Sequence, residues 1–549
     1  MASFAMLSPE LLEQVFATGL DGPPRLDQRN LARWSAVSSV WASTARRLKF
    51  RWVTVTTPGA GAKVLEALCS PTCAACVRSL VVKKEAFDDS NVFSELSQND
   101  LVRLATNLVH FDSPRAAFAP LADGRKMLAA YPSTITSMRL GSTATNWEAH
   151  DSDESEDDDD DSSLAHDAQR ALATSKQYLS LLSAFPPTLT SLKLSKLHAY
   201  ALPRTPPDAP LHLPHLSSLY LDYVNITSET FKWLTETTTD LEAVQVWLVS
   251  GVSEGALLEW AQKKGRKLKQ FFFKPKGQGM HLANELVLYM PALERLSLGD
   301  HACDHTIWNN FPESLTHLCV ALPNGHADAR LTTVAHELTN RLTRVQRLEI
   351  YSQLYFPPPA EVVYAQPDRH DPRDTGLREL RLSHVSSPEL EAFVCTVGRG
   401  LYTLALHHLP TAHEHLLPYC PRLRRVELGA ADCIDDPGIL LESLHAAHLR
   451  HLRVHLASYV SLAHLTASLA SIRAEQRAQG GHHRLVTLEL VGDFPANVYG
   501  EEWRSGARVD ALIRACRDEE IALCVNGRPV DSIGDMWAAL LGQTGREML

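Results

Sequence analysis

The sequence predicts an α/β fold in which a parallel sheet grows from repeated strand–turn–helix units, preceded by a small all-helical unit. Three observations carry this expectation: a short leucine phrase restarts about a dozen times, an apolar helical stripe follows it, and the first fifty-odd residues follow a different pattern. Leu377-Arg378-Glu379-Leu380-Arg381-Leu382 shows the phrase well, because Leu380 and Leu382 alternate with the two-residue period of a strand buried on one face. Ser387-Pro388-Glu389 then reads as a helix start, with serine available as a cap and proline needing no donor at the first helical position. Leu390, Phe393, Val394 and Val397 recur at helical spacing and form one apolar stripe. Gly398 and Gly400 are expected to supply a left-handed exit before the phrase restarts at Leu401.

Clear copies begin at Leu189, Leu216, Leu241, Leu268, Leu293, Leu315, Val345, Leu377, Leu401, Leu423, Leu449 and Leu485, with weaker ones at Val77 and Ile135. One such unit cannot bury its own apolar edge, so the units must stack. With most gaps at about 22 to 32 residues, the pattern resembles leucine-rich repeats. That resemblance implies a solenoid with a parallel sheet on one face and helices on the other. The sequence departs from the family at the position where Asn or Cys is usual, which here holds Val224, His301, Pro323, Val385 and Leu409. The usual ladder of buried polar side chains is therefore expected to be missing.

Composition narrows the class. Hydrophobic residues make up 45% of the 549, enough for a core. No apolar run reaches the roughly 18 residues of a membrane span, and no secretory signal is read at the N-terminus. Ten cysteines, mostly within repeat units, read as buried thiols of a reducing compartment, so cytosol or nucleus is expected. The net charge is −11, of which nine units lie in Asp151–Asp161, an excess that argues against general attraction to nucleic acid.

Taken in order, the chain opens with residues 1–57. A proline-led helix carries Leu7, Pro9, Glu10, Leu11, Leu12, Val15 and Phe16, and a second helix capped by Asn30 carries Leu31, Trp34, Val37 and Trp41. So short a unit leaves some of these bulky groups at the surface, which suggests a partner. LSPELLEQVF followed by NLARWSAVSSVWASTARRLKFRWVTV resembles an F-box, and the order of F-box then repeats is similar to fungal F-box proteins. The resemblance implies binding of a Skp-type adaptor and, through it, a cullin ubiquitin ligase. It makes Leu7, Pro9, Glu10, Leu11, Leu12, Val15, Phe16, Leu31, Val37 and Trp41 the adaptor-binding residues. Ser8 between Leu7 and Pro9, and the long loop from Thr18 to Arg29, depart from the minimal pattern. Without the resemblance, the same segment reads as a helical cap for the repeats.

Residues 58–500 hold the repeats and several decoys. Pro58-Gly59-Ala60-Gly61 stands between a strand and a helix as a dinucleotide loop would, but Val64 fills the third glycine position. Cys69, Cys73 and Cys76 lack a fourth zinc ligand nearby in sequence. The acidic insert at about 146–168 reads as a solvated disordered loop, with Ser155 in the setting acid-directed kinases favour. Residues 199–215 and 355–375 are proline-rich and read as extended loops. Lys263, Lys264, Arg266, Lys267, Lys269, Lys274 and Lys276 surround Phe271-Phe272-Phe273, but Phe271 and Phe273 occupy core positions, and the Lys264 to Lys267 segment also reads as a weak nuclear address. Histidines gather at His301 and His305, at His407 to His415, and at His445 to His455, without an HExxH helix. GxSxG is absent as well. Residues 501–549 read as a closing unit, with a helix at Val509–Cys516, a strand at Ile521–Val525 and a helix at Asp535–Leu541.

The expected function is a non-catalytic substrate receptor of a cullin-type ligase, needing neither metal nor cofactor. Residues between the strand leucines should face away from the core, so Tyr220, Trp247 and Phe272 are the expected target-binding aromatics. A repeat scaffold with no ligase connection is the rival, and a metal-dependent hydrolase using a histidine cluster is the enzyme alternative.

Overall fold

The structure is a computed structural model. It describes residues 50–83, 104–113, 133–141, 185–197, 213–224, 226–236, 238–275, 282–299, 305–322, 328–352, 376–383, 390–407, 419–428, 449–455, 485–492 and 500–540, with scattered positions between them. Residues 1–41, which carry every candidate adaptor contact, lie outside the described residues, as do the acidic run, the stretch 355–375 and most of 199–215.

The fold is an open, almost wholly parallel sheet with helices against one face, an α/β leucine-rich-repeat solenoid. The chain forms two compact units, Met1–Leu268 with Pro275–Gly277, and Lys269–Lys274 with Gln278–Leu549. In the first, β1 (Trp52–Val55), β2 (Ser79–Val82), β3 (His110–Ser113), β4 (Ser137–Gly141), β5 (Ser191–Leu197), β6 (Ser218–Val224) and β7 (Ala243–Val249) pair in sequence order, all parallel. The first described strand, Trp52–Val55, coincides with the strand expected before Pro58. In the second, β8 (Gln270–Pro275), β9 (Arg295–Leu298), β10 (His317–Leu322), β11 (Arg347–Ser352), β12 (Glu379–Ser383) and β13 (Thr403–His407) continue in the same manner. They are followed by β14 (Arg425–Leu428), β15 (His451–His455), β16 (Thr487–Val491) and β17 (Ala522–Val525). Among the described strands, only β18 (Arg528–Pro529) is antiparallel, against β17. The closing residues therefore extend the sheet as well as cap it.

The leucine phrase explains the register. Leu348, Leu380, Leu404, Val426, Leu452 and Leu488 pair in one line across six strands, each at most 1% exposed. Each such side chain contributes about 1.5–3 kcal/mol on burial. The helix Leu390–Val397, which follows β12, carries Leu390, Phe393, Val394 and Val397 as its buried stripe. Its exit differs from the expectation. The helix ends in a 3₁₀ turn, Gly398–Gly400, and neither glycine has a positive φ. A Cβ on Gly398 would lie 2.7 Å from the Tyr419 carbonyl oxygen, so this glycine serves close approach to the next unit. The left-handed glycine of this region is Gly376, at φ +70 before β12.

Of the positions where the Asn or Cys row was expected to be missing, Val224 is described and buried, and His301, Pro323, Val385 and Leu409 lie outside the described residues. At the strand entrances polar ties link successive repeats. There, two successive N–H groups donate to one carbonyl of the preceding repeat: Arg378 and Glu379 to Gln346, Tyr402 and Thr403 to Arg378, Arg424 and Arg425 to Tyr402. Hydroxyls reinforce the tie, with Thr188 Oγ1 donating to Ile135 O at 2.9 Å, Thr190 Oγ1 to Thr136 O at 3.0 Å, and Ser314 Oγ to Leu293 O at 2.7 Å.

Two substitutions separate these contributions. Leu296→Ala, at a site 2% exposed, is expected to cost about 2–5 kcal/mol in urea unfolding through its cavity. Thr190→Val removes one hydroxyl donor and is expected to cost about 1 kcal/mol. Equal losses in the two variants would contradict this division.

Candidate functional site

Parallel in-register strands line up the side chains of the open face as strictly as those of the core, in rows about 4.8 Å apart. In the second unit the middle row of that face reads Glu349, Arg381, Ala405, Glu427, Arg453 and Glu489 across β11 to β16. Opposite charges thus alternate, with one alanine interposed.

Glu427 is the centre of this row and is only 2% exposed. Its Oε1 lies 3.1 Å from His455 Nε2, 3.5 Å from Arg453 Nη1 and 3.8 Å from His407 Nε2. Its Oε2 lies 3.7 Å from Arg381 Nη2, a contact that skips β13 because Ala405 presents only a methyl group there. The imidazoles of His407 and His455 meet edge to face at 5.3 Å. Burial alone would raise the Glu427 pKa, but the His455 hydrogen bond, Arg381, Arg453 and His407 outweigh it and hold the carboxyl at about 2.

The pairing extends to both sides. Arg381 Nε meets Glu379 at 2.8 Å, and Arg453 Nε lies 3.6 Å from Glu489, which Arg425 approaches at 3.9 Å. Burial opposes the charge of Arg381, yet Glu379, Glu427 and Glu349 together raise its pKa. Glu349 also binds Arg347 and the Tyr351 hydroxyl. Burial first, then Glu349, pushes the Cys319 thiol upward and keeps it protonated, which does not suit a nucleophile. In this part of the sheet, among the described residues, the buried atoms Glu427 Oε2, Arg453 Nε and Ser383 Oγ make no hydrogen bond. This arrangement can orient guanidinium groups and rings toward a bound surface. It presents no activated nucleophile, and among the described residues no group of three or more His, Cys, Asp or Glu side chains is placed to hold a metal ion. Nor is any described helix long and apolar enough to cross a membrane.

The aromatics expected at the surface fare differently. Tyr220, opposite Gln245, and Phe272, opposite Ser297, are half-buried on the open face of their respective units. Trp247 is only 4% exposed, and Gln245 and Ala243 beside it are equally buried. β7 is covered on both faces, so its alternation does not mark an exposed side. Trp247 therefore does not present the exposed ring expected of a surface anchor. Its replacement by Ala belongs with core deletions of about 3–5 kcal/mol.

The basic segment is largely structural. Lys264 Nζ donates to the Glu236 and Thr238 carbonyls at 3.1 and 2.7 Å, and Lys267 Nζ reaches Thr239 O and Asp240 at 3.3 and 3.2 Å. These lysines satisfy the carbonyl end of the preceding helix, Ser228–Glu236. The Glu427 cluster is what the sequence reading missed. Its signal was available: aligning the phrases by strand register puts Glu349, Arg381, Glu427, Arg453 and Glu489 in one column.

No family model matches the chain, and no curated protein is similar to it. Solved structures are. The leucine-rich repeat-containing protein LegL7 from Legionella pneumophila shares 12% identity, with 78% of this chain and 98% of that one covered and a TM-score of 0.29. A chain of the Rad7 and Elc1 complex in yeast shares 14%, covering 86% and 94%, with a TM-score of 0.38. A chain of the mouse RP105/MD-1 complex shares 12%, covering 82% and 71%, with a TM-score of 0.36. At such identities and TM-scores, the likeness carries neither partner nor activity over to this chain.

The cluster makes a signed prediction about pH. Glu427 has a folded pKa near 2, below its ordinary value of 4.5, so its contribution is present above pH 4.5 and is lost as pH falls toward 2. That contribution is about 3 kcal/mol. His317, held down to about 4 by burial and then by Arg295 and Arg347, adds a loss that begins below pH 6.5. Glu427→Gln should cost about 3 kcal/mol at neutral pH by leaving buried guanidinium charge unpaired, and should flatten the acid limb. An acid-unfolding profile identical to that of the unaltered chain would refute the assignment.

Proposed function

We propose that the chain is a non-catalytic substrate-recognition adaptor of a cullin-type ubiquitin ligase. The helical unit would hold a Skp-type adaptor through Leu11, Trp41 and their neighbours, and the open sheet face would hold a target. The structure shows a leucine-rich-repeat scaffold suited to protein interaction. The ligase connection draws its support from the F-box resemblance of LSPELLEQVF and NLARWSAVSSVW.

One observation carries the scaffold reading: an open sheet face whose side chains are fixed in rows by backbone register and whose arginines are oriented by buried carboxylates. Fixed donors bind a partner at low ordering cost. An adaptor of this kind acts by holding target and ligase together, so the rate gain comes from positioning. Cytosol or nucleus is the compartment this reading requires.

Affinity-tagged full-length chain should co-purify a Skp-type adaptor from a cell extract. Leu11→Ala with Trp41→Ala should abolish that capture and leave the thermal midpoint of the repeats in place. Capture at full strength by the double variant would refute the F-box reading and leave the repeat scaffold alone. Tyr220→Ala and Phe272→Ala should each cost little stability and reduce the set of captured targets. An undiminished set would remove these two residues from the target site.

A further inference from the structure

We propose that the strand-entry edge of β11 to β15 is a docking ledge for an acidic segment of a partner protein. The residues that turn into these strands include Arg344, Arg378, Arg399, Arg422, Arg424 and Arg450. All but Arg378 are exposed. The described residues of the same turns (341–347, 376–378, 398–402, 419–424 and 449–450) contain no Asp or Glu. A chain of net charge −11 therefore concentrates positive charge along one edge.

This charge is not neutralised by the adjoining row of the sheet. Glu379 is engaged by Arg347 and Arg381, Glu427 by Arg381 and Arg453, and Glu489 by Arg425 and Arg453. Among the described residues, no carboxylate pairs with Arg399, Arg424 or Arg450. The ledge is also held in place. The guanidinium groups of Arg378 and Arg424 each lie 5.3 Å from the centroid of the Tyr402 ring. Arg378 Nη1 further donates to Gly400 O at 3.1 Å.

Charge complementarity selects an anionic occupant, and the net charge of the chain selects a short protein segment over nucleic acid. A long polyanion would feel the repulsion of the whole acidic chain, whereas a short segment feels mainly the ledge, because screening acts beyond about 8–10 Å. Three strand steps of about 4.8 Å separate the ends of β12 to β15, the length of about four or five extended residues. The proposal does not depend on the ligase reading, since adaptor capture through the helical unit and anion capture at this edge can each fail alone.

The test uses the full-length chain and a fluorescein-labelled octaglutamate peptide, followed by anisotropy. Binding should weaken steeply with salt. Combining Arg399→Gln, Arg424→Gln and Arg450→Gln should weaken it by roughly tenfold or more. Unchanged affinity in that variant would overturn the proposal. So would tighter binding of octathymidylate lost in the same variant, which would assign the edge to nucleic acid. Should the variant fail to fold, a photo-crosslinking version of the peptide on the unaltered chain decides the matter. Crosslinks to 398–402, 421–425 and 449–450 support the ledge, and crosslinks confined to Lys263–Lys267 reject it.

Discussion

In-register parallel pairing governs both faces of this protein. At most described strand entrances a single carbonyl accepts two N–H groups from the next repeat, as Gln346 does from Arg378 and Glu379. This tie leaves no freedom for a strand to slip by one residue, and such a slip would exchange the faces. The buried leucines and the open-face charges are therefore consequences of one backbone arrangement. Ser and Thr hydroxyls strengthen it at the strand entrance, from outside the core.

How much of this was legible depended on the kind of signal involved. Leu380 and Leu382, and the stripe from Leu390 to Val397, follow from periods of 2 and 3.6 and were readable without coordinates. The fate of Gly398 was not, because close approach to Tyr419 depends on the next unit and left-handed geometry is only one of glycine's uses. Trp247 failed for a related reason. Alternation separates the two sides of a strand but does not say which side is covered, and β7 is covered on both. The Lys264 and Lys267 contacts lay beyond sequence reading because their acceptors are backbone carbonyls some 28 residues earlier.

The charged row adds an energetic point. Its ion pairs are partly buried, so their value depends on completeness, and removal of one member leaves a desolvated partner. Glu427 shows the balance: burial disfavours its charge, while two arginines and two histidines retain it. Such a cluster fixes side-chain orientation on a surface otherwise made of short, independent rows. Arg399, Arg424 and Arg450 at the strand-entry edge contrast with it, since among the described residues no carboxylate pairs with them.

Ala405 changes how the repeats communicate. Stacked repeats ordinarily interact only with immediate neighbours, so their unfolding resembles a one-dimensional chain with nearest-neighbour coupling. The methyl group at this position lets Arg381 on β12 reach Glu427 on β14 across the intervening strand. That contact is a second-neighbour coupling. It binds three repeats into one cooperative segment, so fraying that advances a repeat at a time elsewhere would have to cross this segment in a single step.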